Sequence, residues 1–177
     1  VSRVAGVLLA AGAGTRYGMP KVLAENGDWL QRAVRALARG GCDDVIVVLG
    51  AAEVDVPAPA RAVTAADWAD GMSASVRAGL RAADGADVAV LHVIDTPDVG
   101  ADVVARVLRA GQGESGLARA VFGGRPGHPV VIAARHWPAV CGSLHGDHGA
   151  RDFLRARGDV VEVGCDDIAT GQDIDER

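Results

Sequence analysis

Aromatic side chains are scarce in this chain: two Phe, one Tyr and three Trp among 177 residues. Yet 49 % of the residues are hydrophobic, so a core of ordinary size has to be assembled from Ala, Val and Leu. Excess positive charge is also missing. A net charge of −5 and a pI near 5.5 argue against a nucleic-acid surface and leave room only for a local cationic pocket. No apolar run approaches the roughly 18 residues of a membrane-crossing helix, so no membrane partner is expected. The basic, apolar, small-residue order of a signal peptide is absent, and the early run VAGVLLAAGAG leads into a charged loop. Cysteine is sparse and widely spaced at Cys42, Cys141 and Cys165, with no C-x-x-C pair. These read as reduced thiols of a cytoplasmic protein rather than a disulfide framework or a zinc site. Without a repeat or a low-complexity linker, the simplest organisation is one domain over residues 1–177.

What is present alternates. Strands are expected at Val4–Ala10, Val45–Leu49, Arg61–Val63 and Val88–Ile94, and near the end at Val160–Val163. Helices are expected at Trp29–Arg39, Ser73–Ala83 and Ala101–Ala110, with a short one at Gly149–Arg157. Ala51–Ala60 holds two prolines and reads as loop. Ala118–Phe122 and Val130–Ala133 read as two short strands around a turn, Gly123–Pro129. The alternation predicts an α/β fold, a mostly parallel sheet with helices on both faces.

Residues 7–21, VLLAAGAGTRYGMPK, are the most informative stretch. A buried strand opens into Gly12, Gly14 and Gly18, with Arg16 inside the loop and Pro20-Lys21 closing it. Glycine lets backbone N–H groups approach a ligand closely, and N–H groups with Arg16 and Lys21 make a seat for a polyphosphate. Spacing rules out two familiar loops. A Walker A loop needs Gly-Lys-Ser/Thr at a helix start, whereas Lys21 lies between Pro20 and Val22. A dinucleotide fingerprint needs G-x-G-x-x-G, whereas the glycines here run G-x-G-x-x-x-G and Pro20 disfavours the helix.

Other constellations carry two readings each. Asp95 ends the apolar strand VAVLHVI, where it can seat Mg²⁺ beside phosphate oxygens or cap the helix at 101. The stretch Asp70-Gly71-Met72-Ser73-Ala74-Ser75 opens a helix, with Ser73 as the expected cap and an anion-accepting N-terminus. His128 follows Gly127 in a turn, where a single His is most simply a surface residue. Gly146–Arg151 opens the short helix, where N–H groups and Arg151 can hold a phosphate. His145, Asp147 and His148 form one short ligand cluster, too little for zinc on their own. The acidic end, Asp166 to Glu176, is either a solvated tail or a second source of carboxylate.

Taken together, L-A-A-G-x-G-x-R-x-G-x-P-K resembles the signature loop of nucleotidyltransferases with the glycosyltransferase-A-like fold. The chain is most similar to the molybdopterin nucleotidyltransferases, and among them to the molybdenum cofactor cytidylyltransferases. The similarity spans nearly the whole length. It implies a three-layer αβα sandwich of the nucleotide-diphospho-sugar-transferase type. It assigns nucleotide binding to Leu9, Ala10, Ala11, Gly12, Gly14, Lys21, Asp70, Gly71, Ser73 and Ser75. The helix stretch matches the family's G-M-x-S-S-L-x-x-G-L, with Ala74 in place of its first Ser. His128, Asp147, Gly149 and Arg151 fall in motifs on the acceptor side.

Arg16, Lys21 and Asp95 are then catalytic, and Asp95 with Asp175 holds Mg²⁺. The family's Asp-Ile-Asp-Thr-Pro matches either Asp173-Ile174-Asp175 or Asp167-Ile168-Ala169-Thr170. The first keeps both carboxylates and is preferred. Ala10-Ala11-Gly12 points to CTP rather than GTP. The implied reaction moves CMP from CTP to molybdopterin, releasing pyrophosphate, in the service of a client molybdoenzyme. Alternatives are transfer to a sugar, polyol or other small phosphate, or a non-catalytic carrier of the cofactor. A dinucleotide-binding dehydrogenase is disfavoured by the glycine spacing.

Overall fold

The computed structural model describes residues 2–176. Seven strands form one sheet: β1 (Val4–Leu9), β2 (Asp44–Leu49), β3 (Arg61–Thr64), β4 (Val88–Val93), β5 (Leu117–Phe122), β6 (Arg125–Ala133) and β7 (Val161–Gly164). Their order is β3-β2-β1-β4-β6-β5-β7. All neighbours run parallel except β6, which is antiparallel to both β4 and β5. Five helices cover the faces: α1 (Ala24–Arg39), α2 (Met72–Ala82), α3 (Ala101–Gly111), α4 (Trp137–Ser143) and α5 (Arg151–Arg155). The expected α/β, three-layer sandwich is therefore present. Among the described residues, no helix is long and apolar enough to cross a membrane.

The core divides into two layers, one on each face of the sheet. Leu30, Val34 and Leu37 of α1 and Val103, Val104 and Val107 of α3 pack on one face. Val76 and Leu80 of α2, Val140 of α4 and Phe153 and Leu154 of α5 pack on the other. With so few aromatics, the layers close by letting backbone approach side chain. A Cβ on Gly79 of α2 would run into Val7 of β1, and one on Gly111 of α3 would run into Val131 of β6. Burial of small aliphatics contributes about 25 cal/mol per Å² of apolar surface, so dense packing substitutes for large rings.

Several boundaries differ from expectation. The turn expected over Gly123–Pro129 shrinks to Gly123-Gly124, both with positive φ (57° and 77°), as a two-residue hairpin of right-handed twist requires. β6 therefore begins at Arg125, despite Pro126 and Pro129. The proline-bearing start pairs only with β5, whereas pairing to β4 begins at Val130, where donors are continuous. Ser73 is not a cap. α2 begins at Met72 behind Gly71 (φ 107°), no side chain caps it, and Ser73 and Ser75 are buried inside the helix. The opening of α1 is interrupted by positive φ at Glu25, Asn26 and Gly27, so its regular part starts at Asp28. α4 has no counterpart among the expected helices.

Candidate active site

Topology selects the place first. From β1 the chain builds outwards through β2 to β3, and then β4 pairs with the opposite side of β1. The crevice between β1 and β4 is thus a switch point, where ligands of open α/β sheets collect beyond the strand C-termini. Leu9 of β1 and Val93 of β4 are register partners at that end. The glycine loop and Asp95 follow them directly.

Ala10 and Ala11 continue β1 and are buried. The Ala10 N–H donates to the Val48 carbonyl, and the Ala51 N–H donates to the Ala11 carbonyl. Gly14 (φ 65°) sits where a Cβ would meet the Met19 carbonyl, and the Gly18 N–H donates to its carbonyl at 2.8 Å. The loop is held at its centre by Tyr17, which is buried against Trp29 with ring centroids 5.2 Å apart. Arg16 is left on the outside, its side chain 72 % exposed.

Lys21 is the only lysine in the chain. Its Nζ lies 3.3 Å from Asp95 Oδ2 and 3.2 Å from Asp175 Oδ1. The tail reaches this point because the Ile174 N–H donates to the Asp95 carbonyl, while Ile168 and Ile174 pack on the α1–α3 layer. Further back, the Thr170 N–H and hydroxyl both donate to Asp98. The Lys21 hydrogen bond, ahead of the fields of Lys21 and Arg16, holds the Asp175 carboxyl below its ordinary range. Oxygens of Asp95, Asp173 and Asp175 lie within 4.8 Å of one another. Three converging carboxylates are a hard-oxygen donor set, which suits Mg²⁺ or Mn²⁺. Asp167, the marker of the other tail register, pairs instead with Arg106 of α3 at 2.6 Å.

Two cavities flank this cluster and share Leu9 and Met72. The smaller, about 170 Å³, runs along Ala10, Gly12, Gly14, Lys21 and Asp95. The larger, about 270 Å³, is lined by apolar Val76, Leu91 and Val130 and by His128, Arg119 and Arg151. Asp147 and Gly149 also border it. The two expected acceptor and nucleotide motifs meet here: the Ser73 N–H donates to the Gly146 carbonyl, and a Cβ on Gly71 would collide with Gly146 and Asp147. The smaller cavity thus brings together the glycine loop, Lys21 and Asp95, and the tail reaches it only through the ion pair of Asp175 with Lys21. Ser73 and Ser75 border neither cavity, nor does Asp70.

His128 is not a surface residue of a turn. It lies on β6, where burial pushes its imidazole down and Asp95 and Asp173 oppose that shift. One neighbour escaped sequence reasoning. His92, on β4, is 1 % exposed, and its Nδ1 has no hydrogen-bond partner. Burial, and then the field of His128, pushes it down to about 3, so it is neutral at physiological pH. The available signal was a lone His within an apolar strand, three residues before Asp95. Asp173 was likewise missed as a third carboxylate, although it stands in the same Asp-Ile-Asp triplet.

Comparison with known proteins adds a family. Residues 6–161 match the MobA-like NTP transferase domain. The chain is 38 % identical, over 97 % of its length and 92 % of the relative's, to nicotine blue oxidoreductase of Paenarthrobacter nicotinovorans. Among solved structures it is similar to the Rv0371c homolog of Mycobacterium sp. strain JC1, at 31 % identity and TM-score 0.77 over 98 % of this chain and 91 % of that one. Rv0371c of Mycobacterium tuberculosis H37Rv superimposes with TM-score 0.81 at 24 % identity, covering 99 % and 94 % of the two chains. The switch-point crevice, the glycine loop beside a carboxylate, and a match over most of the sequence agree: the chain belongs to the MobA-like NTP transferase family.

Proposed function

We propose that this protein transfers a nucleotidyl group, CMP from CTP, to a terminal phosphate of molybdopterin. A phosphate oxygen of the acceptor forms a bond to the α-phosphorus as the bond to the β-phosphate oxygen breaks, and pyrophosphate leaves. One observation carries this reading: the glycine loop, Lys21 and three carboxylates converge at the β1–β4 crevice, with a second cavity alongside. Such chemistry is mainly positioning and charge neutralisation, so no protein nucleophile is required.

Asp95 and Asp175, with Asp173, would hold a Mg²⁺-class ion, which when bound neutralises charge at the α-phosphate. Loop N–H groups, Arg16 and Lys21 would bind the β- and γ-phosphates. Lys21 now bridges Asp95 and Asp175, so cation and carboxylates are already within 3.3 Å before any ligand enters. The larger cavity would take the acceptor, with Arg119 and Arg151 near its phosphate and His128 beside the reacting ends. Ala10 lines the smaller cavity and would stand beside the base, and the Ala10-Ala11-Gly12 pattern supports CTP over GTP. We place the protein in the cytoplasm, where nucleoside triphosphates are made.

A second reading is oxidoreduction of a small organic molecule. It is favoured by the name of the relative that is 38 % identical over 97 % of this chain, and by the apolar wall of the larger cavity. Two incubations separate them, one with each of the four labelled NTPs, Mg²⁺ and molybdopterin, the other with NADH or NADPH and nicotine blue as electron acceptor. Pyrophosphate and a labelled cytosine dinucleotide product are expected with CTP. Consumption of NADH or NADPH with no pyrophosphate from any NTP would replace nucleotidyl transfer by the second reading.

A further inference from the structure

A second donor set, chemically unlike the carboxylate cluster, lies beyond the larger cavity. The segment His145-Gly146-Asp147-His148 is a tight turn, with Gly146 at φ 53° and the His148 N–H donating to the His145 carbonyl at 3.0 Å. The turn brings both imidazoles to one side, their ring centroids 4.7 Å apart. Four residues on, at the start of α5, Asp152 rises beside them. Its Oδ2 is 2.9 Å from His148 Nδ1 and 3.6 Å from His145 Nε2. One ligand atom from each of the three residues falls within 4.8 Å of the others.

The distances have a meaning. A tetrahedral Zn²⁺ with bonds of about 2.0–2.1 Å sets its ligand atoms about 3.3 Å apart. The two observed separations to Asp152 bracket that value. Orientation agrees as well. His145 Nδ1 lies 3.2 Å from the Ser143 carbonyl. A carbonyl only accepts, so Nδ1 carries the proton and leaves Nε2 of the neutral ring, 3.6 Å from Asp152 Oδ2, free to ligate. Backbone carbonyls hold the rings of metal-binding histidines in this way. His148 Nδ1 donates to Asp152 Oδ2 at 2.9 Å without an ion, and a metal taking the place of that proton would join the two. Two imidazoles and one carboxylate select zinc-like ions over Mg²⁺, whereas Asp95, Asp173 and Asp175 do the reverse.

We propose that His145, His148 and Asp152 bind one divalent transition-metal ion of the Zn²⁺ class at the mouth of the larger cavity. Three protein ligands leave a fourth position. His148 lines the cavity together with Asp147 and Arg151. The open position therefore faces that space and takes water or an anionic group of whatever occupies it. The sequence cluster of His145, Asp147 and His148 is corrected in one member: Asp152, at helical spacing from His148, supplies the carboxylate. The proposal does not depend on which reaction the protein performs.

Titration of the full-length protein with ZnCl₂ by calorimetry tests it, with Co²⁺ absorption as a second probe. One Zn²⁺ per chain is expected, with a visible ligand-field band for Co²⁺. His145→Ala or His148→Ala should weaken binding by about a hundredfold or more, and Asp152→Asn by about tenfold. Asp175→Asn should leave Zn²⁺ affinity unchanged and lower Mn²⁺ affinity. The His145 and His148 side chains are 66 % and 42 % exposed, so melting curves should move little, and they are measured for each variant to separate folding from binding. Absence of stoichiometric binding would overturn the site. So would undiminished binding by the double histidine variant, which keeps His92, His128, His136 and all three cysteines.

Discussion

The half of the sheet built from β3, β2, β1 and β4 is all parallel, and its three longer strands are buried on both faces. The other half, β6, β5 and β7, is mixed, bulged between Arg119 and Val121, and carries the short helices α4 and α5. The parallel half ends in the glycine loop and the carboxylates, groups fixed by strand ends and by a tail bound to them. The mixed half forms most of the larger cavity, with residues drawn from a hairpin, the turn at 147–150 and the short helix α5. The difference teaches where chemistry and where selectivity should reside. A rigid crevice at a switch point suits the reacting phosphates. A wall of short elements is more easily reshaped than a crevice fixed by strand ends.

The largest effect should come from the parallel half. Asp95→Ala and Asp175→Ala should each slow transfer by about 10²–10³, the cost of losing a charge-stabilising group. Asp167→Ala, which only breaks an exposed pair with Arg106, should change the rate little. Steady-state pyrophosphate release checks all three. Near-parental turnover by both site variants would remove the carboxylates from the reaction and erase the contrast between the halves.

His92 lies at the seam, on β4, and its effect is on stability. Its folded value is lowered to about 3, so the neutral form is favoured in the fold. That contribution is fully present above the ordinary imidazole value of about 6.5 and is lost as pH falls from there towards 3. Melting temperatures should drop steeply below pH 6 in the parent and less steeply in His92→Leu. Equal slopes for the two proteins would show that His92 does not control the acid limb.

The mixed half should respond in binding rather than in turnover. Arg119→Leu should raise the acceptor KM by about tenfold, the cost of a lost charged contact, with NTP affinity unchanged. Initial rates over an acceptor series, together with NTP titration, check the split. A variant that weakens NTP equally would merge the two halves into one site. Smallest is the base preference. Ala11→Gly should narrow the CTP-over-GTP ratio by a few-fold, because the buried methyl that fixes the backbone between Ala10 and Gly12 is worth about 1 kcal/mol. Equal affinity of the parent for CTP and GTP, read by calorimetry, would refute the base assignment.

The same contrast explains what could be read from sequence. Val45–Leu49 and Val88–Ile94 are continuous apolar runs, and such runs declare a strand buried on both faces. Glycine spacing plus Pro20-Lys21 marked the loop because backbone conformation there depends on residue type. In the mixed half those signals fail. Pro126, Gly127 and Pro129 speak against a strand, and only the pairing partner β5 makes Arg125–Ala133 extended. α4 is seven residues long and holds Pro138 and Gly142, so it has no helical periodicity to detect. Ser73 looked like a cap because Ser commonly is one, but Gly71 turns the chain and leaves Ser73 facing the core. The tail was legible in its carboxylates. Its route was not, since that rests on Asp98 holding Thr170 and on the Asp95 carbonyl accepting from Ile174. Asp152 had a signal that went unread, its i+4 spacing from His148.

The central claim is that the parallel half holds the triphosphate and its metal. A crystal grown with a non-hydrolysable CTP analogue and Mn²⁺, measured at a wavelength where manganese scatters anomalously, tests it most directly. The account predicts an anomalous peak among Asp95, Asp173 and Asp175, with the triphosphate along Gly12–Lys21 and Lys21 Nζ turned from the carboxylates to phosphate oxygen. Triphosphate density remote from Arg16 and Lys21, with no manganese at Asp95, would contradict it.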